Sequence, residues 1–373
     1  MIDGTEVRME AGQPLDLMAR ALELAGRADH QTSPNPMVGA VLVRDGVVVG
    51  EGYHVRAGLA HAEVVALEAA GPQANGASLW VTLEPCCIQG RTPPCTERVL
   101  EAGVAEVHIA TLDPNPRVHG RGLARLRGAG VKVILGERRE EADTLIEEFA
   151  AWMTTGRPWV TLKFAMSLDG KVATSSGESQ WITSEEARMR GHQLRCRHDA
   201  VMVGSGTVLA DDPRLTARWG MEGRRQPLRT VVDGRLRTPP TARLFEERGA
   251  GILIATVEGA DPRRRRALEQ AGAEVLSLPG GRVGVGLPEL LGQLGRRQVV
   301  SVLVEGGPTL LGSFLEQRLG NRMVAFVAPR VLGGAGAPGP FGGKGTALLE
   351  QSWQARGLRA ERVGPDLLVT AEV

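Results

Sequence analysis

Residues 61–63 are His-Ala-Glu, residues 85–86 are Pro-Cys, and a second cysteine, Cys95, follows after eight further residues. Between the histidine and the first cysteine, the apolar run Ser78–Leu83 predicts a buried strand. An imidazole and two thiolates are preferred ligands of zinc, and a set of three protein ligands leaves the fourth position open for catalysis. This segment therefore predicts a catalytic zinc site beside one strand of an α/β fold.

The predicted ligands are His61, Cys86 and Cys95, and the neighbouring Glu63 is predicted to be catalytic. Zinc lowers the pKa of a bound water towards neutrality and so supplies hydroxide at neutral pH. Glu63 lies two residues after the histidine, where a carboxylate can take the proton of that water. It can then pass the proton to a ring nitrogen and to a leaving amine. The pattern His-x-Glu, Pro-Cys, Cys is typical of zinc deaminases.

Two alternatives involve the same residues. They are compatible with a structural zinc knot, or with buried cysteines beside a histidine that caps a helix. Cys87 is an alternative ligand, but Cys86 directly follows a proline and is preferred. We expect His61 and Cys86 each at the start of a helix, where the positive end of the helix dipole favours anionic ligands.

Composition and charge limit the possible functions. The chain has 373 residues, 42% hydrophobic and 23% charged, as expected for two or three soluble domains. Its 44 basic and 43 acidic residues give a net charge of +1, which argues against nucleic acid or an anionic membrane as the main partner. Three of the four cysteines lie within ten residues, which favours a metal site over a disulfide framework. Without a long apolar run or a signal-like start, the protein is expected in the cytoplasm.

The N-terminal third alternates helix and strand patterns. Helices are predicted at residues 15–25, from about residue 61, after residue 94 and at 122–129, and strands at 38–43, 47–49, 78–83, 104–110 and 131–135. Residues 44–46, Arg-Asp-Gly, predict a hairpin turn between the first two strands. The expected fold is a sheet with helices on both faces, and ligands are expected at the turns that follow its strands.

A domain boundary is predicted near residue 154. A charged helix is expected over residues 137–153, and Thr-Thr-Gly-Arg-Pro at 154–158 ends it, so we divide the chain into domains 1–153 and 154–373. The second half is again α/β, with strand patterns at residues 159–164, 200–203, 230–232, 251–255, 299–304 and 323–328. The basic run at 263–266 is interpreted as a solvated helix face, with phosphate binding as the alternative.

A glycine-rich turn marks a second candidate site. Residues 304–310, Val-Glu-Gly-Gly-Pro-Thr-Leu, lead from a strand through two glycines into a helix. Glycines let the backbone approach a phosphate, and the free N–H groups of a helix start bind it. The turn lacks the Gly-x-Gly-x-x-Gly dinucleotide pattern, and an ordinary strand-to-helix turn is the alternative.

Longer motifs resemble one family in both halves. They lie at residues 34–40, 52–54, 61–63, 82–86, 90–95 and 113–116, and then at 162–171, 177–183, 203–208, 211–213, 215–218 and 304–310. In sequence and order they resemble the bifunctional riboflavin-biosynthesis deaminase/reductase. The resemblance implies an N-terminal cytidine-deaminase-like α/β/α sandwich that binds Zn²⁺ and a C-terminal dihydrofolate-reductase-like α/β domain that uses NADPH.

The resemblance also assigns residues to the two sites. It places the deaminase substrate at Asn35, His54, Arg91 and Thr92. It places NADPH at Ala165, Trp181, Thr207, Asp211, Gly234, Gly307, Pro308, Thr309, Leu310, Leu311, Gly312 and Ser313, and the reductase substrate at Ser179, Arg195, Leu215, Arg218 and Glu305. The guanidinium fork of Arg195 or Arg218 suits a sugar phosphate. Lys163 and Glu305, each at a strand end, are candidates for moving protons, with a structural ion pair as the alternative.

The activity implied is deamination of a phosphorylated 2,5-diamino-6-ribosylamino-pyrimidinone, followed by NADPH reduction of the ribosyl group. The expected partner is thus a free phosphorylated pyrimidine, with no nucleic acid and no membrane, and a homo-oligomer is expected. The family usually has Pro-Cys-Ser-His-x-Gly, whereas residues 85–90 are Pro-Cys-Cys-Ile-Gln-Gly, and Gln89 is one candidate to replace the missing histidine.

Two other hypotheses are kept. A zinc deaminase could be fused to a different pterin or folate-like reductase, which the departure at residues 88–89 leaves open. A nucleotide-sensing module on a decayed enzyme should have lost metal or acid residues, but His61, Glu63, Cys86 and Cys95 are all present. Zinc content and ammonia release separate these classes.

Overall fold

The computed structural model describes residues 16–89, 93–221, 224–247, 251–280 and 284–373. The chain forms two compact units, Met1–Thr154 and Thr155–Val373. Along the chain, the boundary between the units falls within the Thr-Thr-Gly-Arg-Pro segment at residues 154–158, where the last helix of the first unit ends. Each unit has its own sheet and its own hydrophobic core.

The first unit is a five-stranded sheet covered by helices on both faces. Its elements are α1 (Leu17–Gly26), β1 (Gly39–Arg44), β2 (Val47–Tyr53), α2 (Ala62–Ala70), β3 (Ser78–Leu83), α3 (Cys95–Glu101), β4 (Glu106–Thr111), α4 (Arg121–Gly128), β5 (Lys132–Leu135), α5 (Arg139–Leu145) and α6 (Glu147–Thr155). The strand order is β2-β1-β3-β4-β5, in which β3, β4 and β5 are parallel and β1 is antiparallel to β2 and β3. This is the α/β/α sandwich expected from the sequence.

The side chains of β1 point alternately to the two faces of the sheet and so contribute to two clusters of buried apolar residues. Ala40 and Leu42 point to the face covered by α2, α3 and α4, whereas Val41 points to the face covered by α1 and α5. Glycines in β2 let α2 approach closely, since a Cβ on Gly52 would lie 2.5 Å from the Ala62 carbonyl oxygen. That close packing fixes the first turn of α2, which carries Glu63.

Two predictions for the first unit are wrong. The helix expected over residues 137–153 is interrupted at Ile146, whose φ of −110° separates α5 from α6. Cys86 does not begin a helix but lies in the loop after β3, whereas His61 does precede the first residue of α2. The other predicted helices and strands of this third are confirmed to within a few residues.

The second unit is a nine-stranded mixed sheet. Its strands are β6 (Trp159–Ser167), β7 (Ala200–Gly204), β8 (Leu228–Val232), β9 (Ile252–Val257), β10 (Glu274–Leu278), β11 (Ser301–Val304), β12 (Arg322–Ala328), β13 (Arg356–Val363) and β14 (Asp366–Glu372). Its helices are α7 (Glu185–Arg197), α8 (Ser205–Asp211), α9 (Pro262–Gln270), α10 (Leu287–Arg296) and α11 (Pro308–Glu316). The order is β10-β9-β8-β7-β11-β6-β12-β14-β13, with the first seven strands parallel.

The parallel part of this sheet positions the second site. Carboxyl ends of parallel strands lie at one edge, so the residues that follow β7 and β11 are neighbours there. All six strands predicted in this half are confirmed. The sequence analysis missed β10 and the antiparallel pair β13 and β14. Of these three strands, β13 is almost wholly exposed and therefore has no buried alternation to indicate it. Across the described residues, no helix is long and apolar enough to cross a membrane.

Candidate active sites

The three predicted zinc ligands lie together in the first unit. His61 directly precedes α2, Cys86 follows β3 and Cys95 is the first residue of α3. The Nδ1 atom of His61 is 3.2 Å from Cys95 Sγ and 3.7 Å from Cys86 Sγ. The three ligand atoms all lie within 4.8 Å of one another.

This geometry fits zinc. Tetrahedral ligands with Zn–S bonds of about 2.3 Å and Zn–N bonds of about 2.0 Å lie roughly 3.5–3.8 Å apart. Within the described ranges, this is the one group of three or more histidine, cysteine or acidic side chains whose ligand atoms lie close enough to hold a metal, and Cys87 is not part of it. The residues present therefore suit a three-ligand zinc site with an open fourth position.

The Cys86 sulfur is stabilised as a thiolate. It accepts a hydrogen bond from the Cys95 backbone N–H at the first turn of α3, at 3.3 Å. Hydrogen bonding from Cys95 outweighs burial and, together with His61, lowers the pKa of Cys86. The sulfur thus meets a helix N-terminus in space, although Cys86 is not at a helix start in sequence.

Glu63 lies beside the cluster and is not one of its ligands. It is the second residue of α2 and only 4% of its surface is exposed. Burial, and next the Cys86 thiolate, raises the pKa of Glu63 to about 7. A carboxyl group with this pKa can accept and release a proton near neutral pH, as acid–base catalysis needs.

Asn35 and His54 form a hydrogen-bonded pair near the cluster. Their Nδ2 and Nε2 atoms are 3.0 Å apart, and His54 Nδ1 lies 3.0 Å from the Ala60 carbonyl oxygen. That oxygen can only accept, so Nδ1 carries the proton and Nε2 accepts from Asn35. This leaves the Asn35 side-chain oxygen available for a ligand. The His54 ring packs edge-on against His61, with centroids 5.3 Å apart.

The remaining residues predicted for the deaminase substrate lie in or beside a segment that the structure does not describe. Arg91 and Thr92 lie outside the described residues. Gln89 is exposed, and Ile88 is half-buried. The departure from the family pattern at these two positions stays without a structural explanation.

The second candidate site is a buried charge cluster beside the carboxyl end of β11. The expectation that Lys163 lies at a strand end is wrong, because it is the fifth residue of the nine-residue β6. Glu305 directly follows β11 and accepts two hydrogen bonds from Arg195 of α7, each 2.8 Å long. Lys163 of β6 reaches the same carboxylate at 3.8 Å. Burial alone would raise the pKa of Glu305, but Arg195 and then Lys163 outweigh it and hold the pKa at about 2. Burial lowers the pKa of Lys163.

Two cavities meet at this cluster. One, of about 620 Å³, is lined by the predicted substrate residues Ser179, Arg195, Leu215, Arg218 and Glu305. The other, of about 390 Å³, lies along the turn from β11 into α11. Lys163 and Glu305 line both, so they stand where a substrate in one cavity would meet a cofactor in the other.

Most predicted cofactor residues line the second cavity, but four do not. Those that line it are Ala165, Thr207, Asp211, Gly307, Pro308, Thr309, Leu310 and Leu311. Trp181 lines the larger cavity instead. Gly312 and Gly234 make close backbone contacts, since a Cβ would lie 2.1 Å from the Gly342 oxygen and 3.2 Å from Gly284 respectively. The Ser313 hydroxyl donates to the Thr309 carbonyl oxygen at 2.9 Å.

The two arginines predicted to bind substrate, Arg195 and Arg218, differ in their partners. The guanidinium fork of Arg195 is occupied by Glu305. Arg218 donates to the Thr216 hydroxyl at 2.9 Å and, in the part of the chain that the structure describes, has no carboxylate within ion-pair distance. Burial and then the neighbouring Arg195 and Arg214 lower the pKa of Arg218, which marks an excess of positive charge there.

Sequence analysis missed part of the cavity wall. On α7, Arg188 lies two turns and His192 one turn before Arg195, and both line the larger cavity. Trp219 adds an exposed indole, 4.8 Å from the His192 ring. Burial, then Arg195 and Arg218, lowers the pKa of His192 to about 4. The helical spacing of residues 188, 192 and 195 is the signal that would have grouped them.

Two family models match the chain. Residues 12–111 match the cytidine and deoxycytidylate deaminase zinc-binding region, and residues 158–369 match the RibD C-terminal domain. Riboflavin biosynthesis protein RibD of Aquifex aeolicus is 42% identical over 352 residues, which cover 94% of this chain and 96% of that protein. The RibD protein of Escherichia coli is 43% identical over 361 residues and covers 94% and 96%.

Solved structures agree. RibD of Acinetobacter baumannii matches with a TM-score of 0.87 at 38% identity, covering 95% of this chain and 97% of that one. A diaminohydroxyphosphoribosylaminopyrimidine deaminase/5-amino-6-(5-phosphoribosylamino)uracil reductase of Thermotoga maritima matches with a TM-score of 0.82 at 35% identity, with the same coverage.

Fold and site together define a zinc deaminase joined to a pyrimidine reductase. The deaminase half has the matching family model and the ligand cluster, and the reductase half has the matching C-terminal model. The chain belongs to the RibD family of bifunctional riboflavin-biosynthesis enzymes, with zinc in the deaminase domain and NADPH as the reductase cofactor.

Substitution of the neighbouring cysteines tests the ligand set. Cys86→Ser and Cys95→Ser should each lose bound zinc, because each removes one of three protein ligands. Cys87→Ser should keep it, because Cys87 lies outside the cluster. Zinc per chain, measured by inductively coupled plasma mass spectrometry, decides the question. If Cys87→Ser loses zinc and Cys86→Ser keeps it, Cys87 is the zinc ligand and Cys86 is not.

Proposed function

We propose that residues 1–153 hydrolyse the 2-amino group of 2,5-diamino-6-ribosylamino-pyrimidin-4-one 5′-phosphate and release ammonia. Residues 154–373 then reduce the ribosyl group of 5-amino-6-(5-phosphoribosylamino)uracil to ribityl with NADPH. The observation that carries this proposal is the buried Glu63 beside the cluster of His61, Cys86 and Cys95, in one chain with a reductase unit. Support also comes from the substrates in the name of the Thermotoga maritima relative.

In the deaminase site, His61, Cys86 and Cys95 would hold zinc, and the zinc ion would act as the Lewis acid that activates water for attack. Glu63 accepts the proton of the attacking water and delivers it to the ring nitrogen beside C2. A second proton passes through Glu63 to the departing amine, so a C–O bond forms, the C–N bond breaks and ammonia leaves. The pKa of Glu63 near 7 suits both transfers.

Asn35 orients the pyrimidine. Its Nδ2 donates to His54, which fixes the amide plane and directs the side-chain oxygen away from the histidine. That oxygen is an acceptor for an amino group of the substrate. Burial lowers the pKa of His54, so the ring stays neutral and keeps its role as acceptor.

Replacing Glu63 with glutamine should reduce deamination at least about a hundredfold, the contribution expected of a positioned acid–base group. Zinc content and NADPH-dependent reduction should not change. The matched control is Glu68→Gln, an exposed glutamate on the same helix, which should deaminate normally. Ammonia release, zinc content and NADPH oxidation are measured on one preparation. Near-normal turnover of zinc-loaded Glu63→Gln would remove this residue from the mechanism.

In the reductase site, NADPH supplies a hydride to C1′ of the substrate. Opening of the ribose ring places a proton on the ring oxygen and removes one from the exocyclic nitrogen, which forms the imine. Hydride addition to C1′ then requires a proton at that nitrogen, so one proton is consumed overall. Lys163 is the proposed donor, because it lies at the junction of the two cavities and Glu305 is committed to Arg195. The ionised Glu305 holds the ammonium group in place.

Lys163→Met should lower kcat for reduction by about a hundredfold, with little change in the KM for NADPH, since the side chain moves a proton rather than binding the cofactor. The control is Lys344→Met, an exposed lysine of the same unit. Steady-state NADPH oxidation with deaminated substrate measures both. A wild-type kcat in Lys163→Met would assign the proton to another group.

Arg218 is the proposed anchor of the substrate phosphate. It lines the larger cavity, lies among other arginines and is not committed to a described carboxylate. A guanidinium binds a phosphate through two parallel hydrogen bonds. The phosphate is remote from C1′, so its binding energy acts mainly on affinity.

Arg218→Ala should reduce kcat/KM for reduction by roughly ten- to hundredfold, chiefly through KM. A charge-assisted contact is worth about 1.5–3 kcal/mol. Deamination should persist. Arg266→Ala, an exposed arginine on α9, is the control and should match the wild type. Unchanged reduction in Arg218→Ala would leave the phosphate anchor elsewhere, and loss of both activities would indicate damage to the fold.

Two finer expectations belong to this proposal. The substrate is a free phosphorylated pyrimidine, so the reaction itself needs neither nucleic acid nor a membrane, and the near-neutral net charge is compatible with that. Location in the cytoplasm and assembly into a homo-oligomer both stay predictions. Light scattering of the purified chain measures the oligomeric state.

A further inference from the structure

Glu84 is a buried carboxylate for which the proposed reaction has no use. It follows the last residue of β3 and lies two residues before the zinc ligand Cys86. Only 2% of its surface is exposed. Burial of an ionisable group is costly unless it is hydrogen-bonded, so its partners indicate its role.

All the partners described for its side chain are backbone N–H groups. One carboxylate oxygen accepts from Gly120 at 2.9 Å and from Asp113 at 3.2 Å, and the other accepts from Leu123 at 3.1 Å. Gly120 is the N-cap residue of α4 and Leu123 is in its first turn. As a glycine, the N-cap has no side chain to accept these hydrogen bonds, and the carboxylate of Glu84 does so from the neighbouring strand.

The loop that carries Cys86 packs directly against the first turn of α4. A Cβ on Gly122 would lie 2.2 Å from the Pro85 carbonyl oxygen, so the helix touches the loop backbone directly. On its other side, the Cys86 carbonyl oxygen accepts from the Thr96 backbone N–H of α3 at 3.1 Å. Residues 84–86 are therefore held between the N-termini of two helices.

We propose that Glu84 is a positioning residue for zinc: by capping α4 it fixes the loop that holds the Cys86 sulfur at ligand distance from His61 and Cys95. The inference rests on the proposed zinc site. A glutamine at this position has one acceptor oxygen, and its amide NH₂ would face backbone N–H groups. It also lacks the negative charge that the helix N-terminus favours.

The test measures zinc affinity in the full-length protein. Glu84→Gln should weaken zinc binding by about ten- to hundredfold, the effect typical of residues that hold metal ligands in place. Competition with a chromophoric chelator gives the dissociation constant. The d–d bands and thiolate charge-transfer bands of the Co²⁺-substituted protein report the coordination geometry, and they should shift or broaden. NADPH oxidation by the other domain should be unchanged.

A second pair of variants keeps the test decisive if Glu84→Gln does not fold. Gly122→Ala places a methyl group against the Pro85 oxygen and should weaken zinc binding in the same way. Gly128→Ala, on the same helix with no atom within 4 Å of its Cβ position, should not. Glu97→Gln is the matched carboxylate control, because Glu97 binds Arg125 of α4 from the exposed surface.

The outcomes separate this inference from the proposed function. Wild-type zinc affinity and Co²⁺ spectra in both Glu84→Gln and Gly122→Ala would overturn the positioning role and leave the zinc site intact. Equal weakening in Glu97→Gln would show that any loosening of α4 has this effect and would also overturn it. Absence of stoichiometric zinc in the wild type would instead overturn the site itself.

Discussion

Each domain buries charged groups, and each compensates them locally. An uncompensated buried charge costs several kcal/mol, so it persists only where partners are supplied. In the first domain the partners are backbone N–H groups at helix N-termini, which contact the sulfur of Cys86 and the carboxylate of Glu84. In the second they are the side chains of Arg195 and Lys163 around Glu305. The catalytic groups of both domains are embedded in these arrangements.

The arrangement in the first domain follows from parallel strands. Parallel strands end at one edge of a sheet, and the helices that follow them begin there, so anions and helix N-termini meet. In the first domain β3 ends beside the N-termini of α3 and α4. In the second domain, Glu305 follows β11, and its partners are the side chains of Arg195 in the last turn of α7 and of Lys163 within β6.

Much of this was predictable because it is local. A short apolar run predicts β3, and ligand residue types at characteristic spacing predict the metal cluster. Prediction failed where packing overrides local pattern. β13 is a strand because β14 pairs with it, whereas the break at Ile146 between α5 and α6 has no structural explanation. Gly312, which the family resemblance assigns to the cofactor, lies close to the backbone of Gly342, a packing contact that no local pattern indicates.

By itself, the sequence determined which chemistry the chain can carry, because zinc coordination and proton transfer require particular side chains at His61, Glu63, Cys86 and Cys95. Only the tertiary structure decided how buried charges are paired. Arg195 and Glu305 are separated by 110 residues, and Glu84 by 39 from Leu123. No local pattern encodes such pairs, because they form only when strands and helices pack together. A buried carboxylate must then bind the donors that the packing places beside it.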